Sequence, residues 1–168
     1  DVALAIAARL GLSAAGFSIN GDGGATFPAG TVEAEVRRLA VALTAAAEDA
    51  NAAIREHVGK HPETEGMGTT LSTMLFNGTT FGVCHVGDSR AYLLRDGKLE
   101  QITKDDTYVQ SLVDKGELAA EDVSSHPQKS LILKAYTGRS VEPTLFTFEA
   151  KAGDRILLCS DGLSDPVT

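Results

Sequence analysis

The sequence predicts one α+β domain, spanning residues 1–168, in which antiparallel strands form the centre and helices flank them. Three observations lead to this class. Apolar residues at helical spacing precede residue 60, strand-like runs separated by Asn-Gly and Asp-Gly turns follow, and helical patterns return later in the chain. With 168 residues, 43% of them hydrophobic, the chain is long enough for one core and too short for two ordinary domains.

The first third predicts two helices joined by a loop. The apolar opening, residues 1–10, is too short to cross a bilayer and has no basic segment before it, so it predicts a buried helix. The glycine-rich stretch 11–30 has no sustained period and predicts a flexible loop. Thr31 is a favourable N-cap, and apolar residues recur at helical spacing from there to Gly59, which predicts a long amphipathic helix.

The middle of the chain predicts an antiparallel meander. Four strand-like segments follow one another at residues 69–76, 79–86, 90–95 and 98–103. Asn77-Gly78 and Asp96-Gly97 are typical hairpin turns between them. The strand around Val83 is apolar on both faces, so we expect it to be central and covered on each side.

The last part predicts two short helices and two strands. Helical patterns lie at Thr107–Lys115, with Gly116 as the stop, and at Gln128–Tyr136, with a polar, mobile connection between them. Strands follow at residues 144–150 and 154–159. The apolar run Ile156–Cys159 predicts that the second of these is buried.

Composition excludes some classes of function. Fifteen Lys and Arg against 23 Asp and Glu give a net charge of −8, which argues against a nucleic-acid surface because phosphate binding requires cations. Cys84 and Cys159 lie in apolar runs without metal-ligand spacing, so we expect buried, reduced thiols in a cytoplasmic protein, with a disulfide as the alternative. No segment of this sequence predicts a membrane span.

Acidic residues end two of the predicted strands. Asp88 follows one strand in "VGDS", and Asp161 follows another in "CSDG", with Asp165 shortly after it. Short carboxylates anchored at adjacent strand ends can hold Mg²⁺ or Mn²⁺, which activates water against a phosphoryl group. Asp before Ser or Gly is also ordinary turn chemistry, so the residues alone leave both interpretations open.

Other polar residues are weaker candidates. We expect Asp105 and Asp106 to cap the helix that follows them rather than to bind metal. His85 is expected to pack within the sheet. His126 lies in a polar loop where a proton donor could reach a substrate, although an ordinary loop histidine is the simpler interpretation. No Ser-His-Asp elbow, Walker loop or cysteine-nucleophile motif is present.

Four longer motifs follow one another in the sequence. They are "EGMGTTL" at 65–71, "HVGDSRAYLLRDGKLEQITKDD" at 85–106, "SHPQKSLILKAYTG" at 125–138 and "GDRILLCSDGLSD" at 153–165. From Ala45 onward, the chain resembles the metal-dependent serine/threonine protein phosphatases of the PPM, or type 2C, family in its compact bacterial form. The resemblance implies a four-layer α-β-β-α sandwich of two antiparallel sheets flanked by helices, with two or three Mn²⁺ or Mg²⁺ ions at one end.

The resemblance also implies roles for individual residues. Asp161 matches a core metal ligand, Asp88 matches the acid of a third, more weakly held metal site, and Asp165 matches an acid near that site. The stretch Thr107–Gln128 is similar to the family's flap beside the active site, which makes His126 a candidate flap residue. The catalytic residue itself stays unassigned.

The chain departs from the family pattern at both ends. The opening Asn-Glu-Asp segment with its phosphate-binding arginine, the Asp-Gly-Met-Gly-Gly-His motif and the closing Gly-Pro-Asp-Asn motif are not recognisable. Asp22-Gly23 does not replace the second motif because Met and His are missing. We therefore expect an internal piece of a larger catalytic domain that supplies part of the metal shell.

The resemblance implies an enzyme that hydrolyses phosphoserine and phosphothreonine in proteins. Its expected partners are serine/threonine kinases and their substrates, and we expect a cytoplasmic monomer, with a membrane tether outside this chain also compatible. The alternative is a phosphatase-like binding or regulatory module without core metals. The missing acids favour that alternative, while Asp88, Asp161 and Asp165 count against it because a decayed site has no need of clustered carboxylates.

Overall fold

The structure is a computed structural model that describes residues 18–19, 25–26 and 32–167. Helix α1 spans Val32–Lys60, α2 spans Tyr108–Asp114 and α3 spans Asp161–Ser164, with 3₁₀ turns at Pro62–Thr64 and Ala120–Ser125. The strands are β1 Ser18–Ile19, β2 Ala25–Thr26, β3 Leu71–Phe76, β4 Thr80–Val86, β5 Arg90–Arg95, β6 Lys98–Gln101, β7 Thr144–Glu149 and β8 Arg155–Cys159. The predicted α+β class, with two antiparallel sheets and helices, is confirmed.

The strands of the predicted meander divide between two sheets. One sheet has the order β3-β4-β7 and the other β6-β5-β8, so β4 and β5 do not pair although they are consecutive. The prediction of one continuous meander is wrong because the chain turns out of the first sheet at Gly87, whose φ is +105°. A Cβ there would lie 2.6 Å from Thr70 Cβ, so only glycine fits this crossing without strain.

Strand β4 is the centre of the core, as predicted. Its successive residues Val83, Cys84, His85 and Val86 are all buried, so both faces are covered. Helix α1 covers one face with Leu43 and Ala47, which join Cys84, Val86 and Tyr136 in one apolar cluster. Each fully buried aliphatic side chain of this kind contributes roughly 1.5–3 kcal/mol to folding.

The predicted helix Gln128–Tyr136 is absent. Tyr108 N donates to Leu131 O at 2.9 Å, and Leu133 N donates to Asp106 O at 2.8 Å. Tyr136 exchanges two backbone hydrogen bonds with Thr69. These groups are bonded to other segments and cannot form the helical ladder, so tertiary pairing overrides local helix propensity. Helices α1 and α2, in contrast, form where the sequence predicts them.

Strand β8 forms at the predicted position but is not buried. Leu157 is 42% exposed and Leu158 is 45% exposed. Within the described residues β8 pairs only with β5, so its apolar run belongs to an edge strand and does not mark a central one. Both cysteines are free, and Cys159 is only half-buried.

Parts of the prediction concern residues outside the described ranges. The helix predicted at residues 1–10 and the N-cap at Thr31 lie outside them, as does most of the loop predicted at 11–30. Within that loop, β1 and β2 form a short antiparallel pair. In the part of the chain that the structure describes, no helix has the length and hydropathy needed to cross a membrane.

Candidate active site

The three acids singled out in the sequence all line one cavity of about 230 Å³. Asp88 lies in the turn between β4 and β5, whereas Asp161 begins α3 directly after β8 and Asp165 follows α3. Arg90 at the start of β5 stands opposite Cys159 at the end of β8, so these strand ends share one edge of the sheet. The antiparallel register therefore brings acids more than seventy positions apart in sequence to one place.

The rest of the cavity wall comes from the start of β5, the connection after β6, the predicted flap, the segment after it and α3. These lining residues are Arg90, Asp105, Thr107, Val109, Ala120, Val123, Ser124, Lys129, Ser130 and Ser164. Residues of the stretch Thr107–Gln128 thus form part of the cavity wall, and the role of this stretch as a flap stays a prediction.

Negative charge accumulates around Asp88. Desolvation raises the pKa of its carboxyl group above the ordinary value, and the charges of Asp161, Asp105 and Asp165 raise it further, while the backbone N–H of Asp88 lowers it. The neighbouring carboxylates therefore make Asp88 harder to ionise. A divalent cation in the cavity would relieve this repulsion, and carboxylate oxygens are the ligands that Mg²⁺ and Mn²⁺ prefer.

The acids fit such an ion by chemistry but supply only part of a shell. Across residues 32–167 and the two short strands before them, no three Asp, Glu, His or Cys side chains are arranged to hold one metal ion. The ligand roles of Asp88, Asp161 and Asp165 stay predictions. What the structure adds is that the three side chains face the same cavity.

Asp105 and Asp106 do not cap helix α2, contrary to the prediction. The cap is Thr107, whose hydroxyl accepts a hydrogen bond from Gln110 N at 3.2 Å. Asp105 instead pairs with Arg90, with Nε 3.0 Å from both carboxylate oxygens and Nη2 2.6 Å from Oδ2. This pairing raises the pKa of Arg90 further, so the guanidinium stays charged.

Asp106 fastens the turn that carries Asp88. Its Oδ2 accepts from Gly87 N at 3.0 Å, and its own N–H donates to Gly87 O at 2.7 Å. Lys134 Nζ lies 3.3 Å from its other carboxylate oxygen. The sequence signal for these partnerships was an arginine and two acids on either side of the β5–β6 hairpin, which the helix-capping interpretation overlooked.

His126 is not among the residues that line the cavity. Its Nδ1 accepts from Gln128 N at 3.1 Å, and its ring centroid is 6.2 Å from that of Tyr108. Lys129 does line the cavity, and its Nζ is 3.6 Å from Asp165 Oδ2. Nothing in the sequence separated Lys129 from an ordinary surface lysine. His85 packs in the sheet, as expected.

Comparison with known families decides the relationship that the four motifs predicted. The sequence model of the family described as Protein phosphatase 2C matches residues 12–168. The chain belongs to the protein phosphatase 2C family. A serine/threonine protein phosphatase, PstP of Mycobacterium tuberculosis, is 60% identical over 130 residues, which are 77% of this chain and 25% of PstP. A serine/threonine phosphatase, stp of Listeria monocytogenes, is 36% identical over 121 residues, 71% of this chain and 48% of that protein.

Solved structures of protein phosphatase 2C relatives have the same fold. The M. tuberculosis serine/threonine phosphatase PstP/Ppp superimposes with a TM-score of 0.78 at 50% identity, covering 99% of this chain and 63% of that one. The PstP catalytic domain in complex with two manganese ions gives 0.74 at 47% identity, with coverage of 99% and 61%. The chain thus spans between a quarter and about half of these curated relatives and just over three fifths of the solved domains.

Proposed function

We propose that the protein carrying this chain hydrolyses phosphoserine and phosphothreonine in other proteins by a metal-dependent reaction. Membership of the protein phosphatase 2C family supports the reaction class. The observation that carries the proposal is the convergence of Asp88, Asp161 and Asp165 on one cavity from two separate strand ends. Such clustered carboxylates are costly in a fold unless a cation neutralises them.

Each acid has a role in this proposal. Asp161 is a core ligand, and Asp88 and Asp165 belong to a further, weaker cation site beside it. When bound, Mn²⁺ or Mg²⁺ supplies an activated water and stabilises the charge on the phosphoryl oxygens. The Arg90–Asp105 pair fixes one wall of the cavity, and Lys129 places a positive charge at its rim.

The finer points of the proposal concern the cation, the partners and the compartment. We propose two or three Mn²⁺ or Mg²⁺ ions in the complete domain; the PstP catalytic domain that this chain resembles was solved with two manganese ions. We further propose that the protein is a cytoplasmic monomer whose partners are serine/threonine kinases and their phosphorylated substrates. His126 is retained as a flap residue near the cavity, without an assigned proton-transfer role.

A phosphothreonine peptide tests the reaction directly. Full-length protein of verified mass is expected to release phosphate with Mn²⁺ and to stop when excess chelator is added. The Glu142→Gln variant, altered at an exposed acid that lies outside the predicted flap and does not line the cavity, serves as the control and should keep full activity. Phosphate release that continues unchanged in chelator would contradict metal dependence.

A second candidate is a phosphatase-like binding or regulatory module. The absence of a three-ligand cluster among the described residues favours it. The same assay separates the two candidates. A full-length protein that binds phosphothreonine peptide but releases no phosphate at any Mn²⁺ or Mg²⁺ concentration would favour the binding module.

A further inference from the structure

A polar pair joins the neighbouring strands β3 and β4. Ser72 in β3 stands directly opposite His85 in β4, and Ser72 Oγ is 2.9 Å from His85 Nδ1. Ser89 O lies 2.8 Å from the same hydroxyl and is a second acceptor within reach of its one hydrogen. Ser89 follows Asp88 directly, so this bond reaches the turn that carries a predicted metal ligand.

His85 connects the same pair to the second acidic segment. Its Nε2 is 3.0 Å from Lys104 O, and a carbonyl oxygen can only accept, so Nε2 carries the hydrogen. Lys104 directly precedes Asp105, the partner of Arg90. His85 is completely buried, so no water competes for these bonds.

The turn at Asp88 is therefore held from two sides. On one side Gly87 exchanges hydrogen bonds with Asp106, and on the other Thr70 Oγ1 is 2.8 Å from Ser89 Oγ. Ser72 contacts Ser89 on the second side, and His85 links it to Lys104 O in the segment that leads to Asp106. The Asp88 carboxylate itself is left facing the cavity.

We propose that Ser72 and His85 are positioning residues for Asp88. Neither side chain lines the cavity, so they act through the Ser89 and Lys104 carbonyls and fix the turn in the orientation that presents Asp88 to a cation. Stability alone does not require this pair, because an apolar pair of the same shape is often neutral for folding. The inference rests on the cation binding in the proposed function, and not on hydrolysis itself.

The test measures Mn²⁺ binding to full-length protein by titration calorimetry, together with kcat and KM for a phosphothreonine peptide. Ser72→Ala removes both hydroxyl contacts and is expected to weaken the lower-affinity Mn²⁺ step about 10-fold, the usual result of losing a residue that orients a ligand. Ser72→Thr keeps the hydroxyl on a strand-favouring residue and should restore binding. At saturating Mn²⁺, kcat of Ser72→Ala should recover while KM stays unchanged.

A control for lost stability comes from the other end of the same hairpin. Asn77 Oδ1 accepts from Thr79 N at 3.0 Å and Thr80 N at 2.7 Å, so Asn77→Ala destabilises β3 and β4 away from the cavity. It should lower the Tm without changing Mn²⁺ affinity. If Asn77→Ala weakens Mn²⁺ binding as much as Ser72→Ala does, the effect is general loosening and the inference is overturned.

A double variant shows whether Ser72 acts through Asp88. Asp88→Asn should weaken the same Mn²⁺ step, and adding Ser72→Ala to it should change nothing more. Additive effects, or wild-type Mn²⁺ affinity in folded Ser72→Ala, would overturn the inference. Wild-type protein that binds Mn²⁺ without hydrolysing the peptide would remove the proposed function and leave the positioning role standing. Wild-type protein that binds no Mn²⁺ would remove both.

Discussion

The two turns that deliver acids to the cavity are built in opposite ways. Around Asp88, the chain is tied down by hydrogen bonds from Ser72 and Asp106, and by the ion pair of Arg90 with Asp105. Around Asp161, the turn is exposed and α3 is held by its own backbone, with Asp165 N donating to Asp161 O at 2.9 Å.

The contrast is between one acid whose position is fixed by the fold and two acids whose side chains can adapt to a bound ion. Asp88 is half-buried and cannot move without breaking bonds to neighbouring strands, whereas Asp161 and Asp165 are exposed side chains on one helical turn. A cation placed between them would find one rigid ligand and two adjustable ones. Loss of an adjustable ligand should therefore cost chemistry but little stability, while changes at the rigid turn should affect binding and stability together.

The largest expected effect is at Asp161. Asp161→Asn should reduce Mn²⁺-dependent hydrolysis of a phosphothreonine peptide by about a thousandfold, because the cation contributes several kcal/mol to transition-state stabilisation. The exposed position predicts a change in unfolding free energy within about 0.5 kcal/mol. Steady-state kinetics and thermal unfolding of the same preparations measure both. A folded Asp161→Asn protein with full activity would refute the ligand assignment.

The next effect is at Asp88 and has two parts. Asp88→Asn should raise the Mn²⁺ concentration for half-maximal activity by about 10-fold or more, since a carboxylate ligand is lost. In chelator the same variant should have a higher Tm than wild type, because it removes a charged group whose pKa is raised by desolvation and by repulsion from the neighbouring acids. An unchanged Mn²⁺ requirement, or a lower Tm in chelator, would contradict the account of this turn.

The sequence was most informative where local pattern and tertiary structure agree. The helical spacing up to Gly59 and the two Asn-Gly and Asp-Gly turns predicted α1 and both hairpins, because each depends on neighbouring residues alone. The convergence of Asp88 and Asp161 was also predictable, as two buried-looking strands ending in acids. An acid that directly follows a strand can be placed from the sequence, because the strand fixes the backbone that leads into it.

Several failures involve long-range pairing. The Gln128–Tyr136 stretch has a helical pattern, but its backbone bonds to Asp106, Tyr108 and Thr69. Asp105 has the sequence position of a helix cap, but in the structure it pairs with Arg90, which lies fifteen positions earlier in β5. Lys129 has no local signal, since its role depends on where β8 ends. Such partners can be found only after the sheets are assembled.

A pH experiment contrasts Asp88 with a purely structural acid, Asp154. Arg95, together with the backbone N–H of Lys151, lowers the pKa of Asp154 to about 2 from an ordinary value of 3.8. Its contribution to stability is complete above the ordinary pKa and is lost as pH falls through about 2. The pKa of Asp88 is shifted in the opposite direction. In chelator, ionisation of Asp88 therefore reduces stability as pH rises through its folded-state pKa.

Thermal unfolding in chelator between about pH 2 and pH 7 checks these signs. Asp154→Asn should lower the Tm at neutral pH and flatten the loss of stability between about pH 4 and pH 2. Asp88→Asn should raise the Tm at neutral pH and have least effect in acid, where wild-type Asp88 is already protonated. If the curves of Tm against pH were parallel for the two variants, ionisation of Asp88 and of Asp154 would affect stability in the same direction, which would contradict these signs.

The smallest expected effect is at Lys129, where the adjustable turn meets the rim of the cavity. Its Nζ is 3.6 Å from Asp165, and both side chains are close to half exposed, so the pair is worth no more than about 1 kcal/mol. Lys129→Met should leave the Tm nearly unchanged and tighten Mn²⁺ binding by at most about fivefold, since one positive charge leaves the cavity.

Lys98→Met is the matched control, because Lys98 is also 3.6 Å from an acid, Glu100, but does not line the cavity. Equal effects of the two variants on Mn²⁺ affinity would show that the Lys129→Met effect comes from the change in net charge alone. Weaker Mn²⁺ binding in Lys129→Met would mean that Lys129 supports the ion site instead of competing for it.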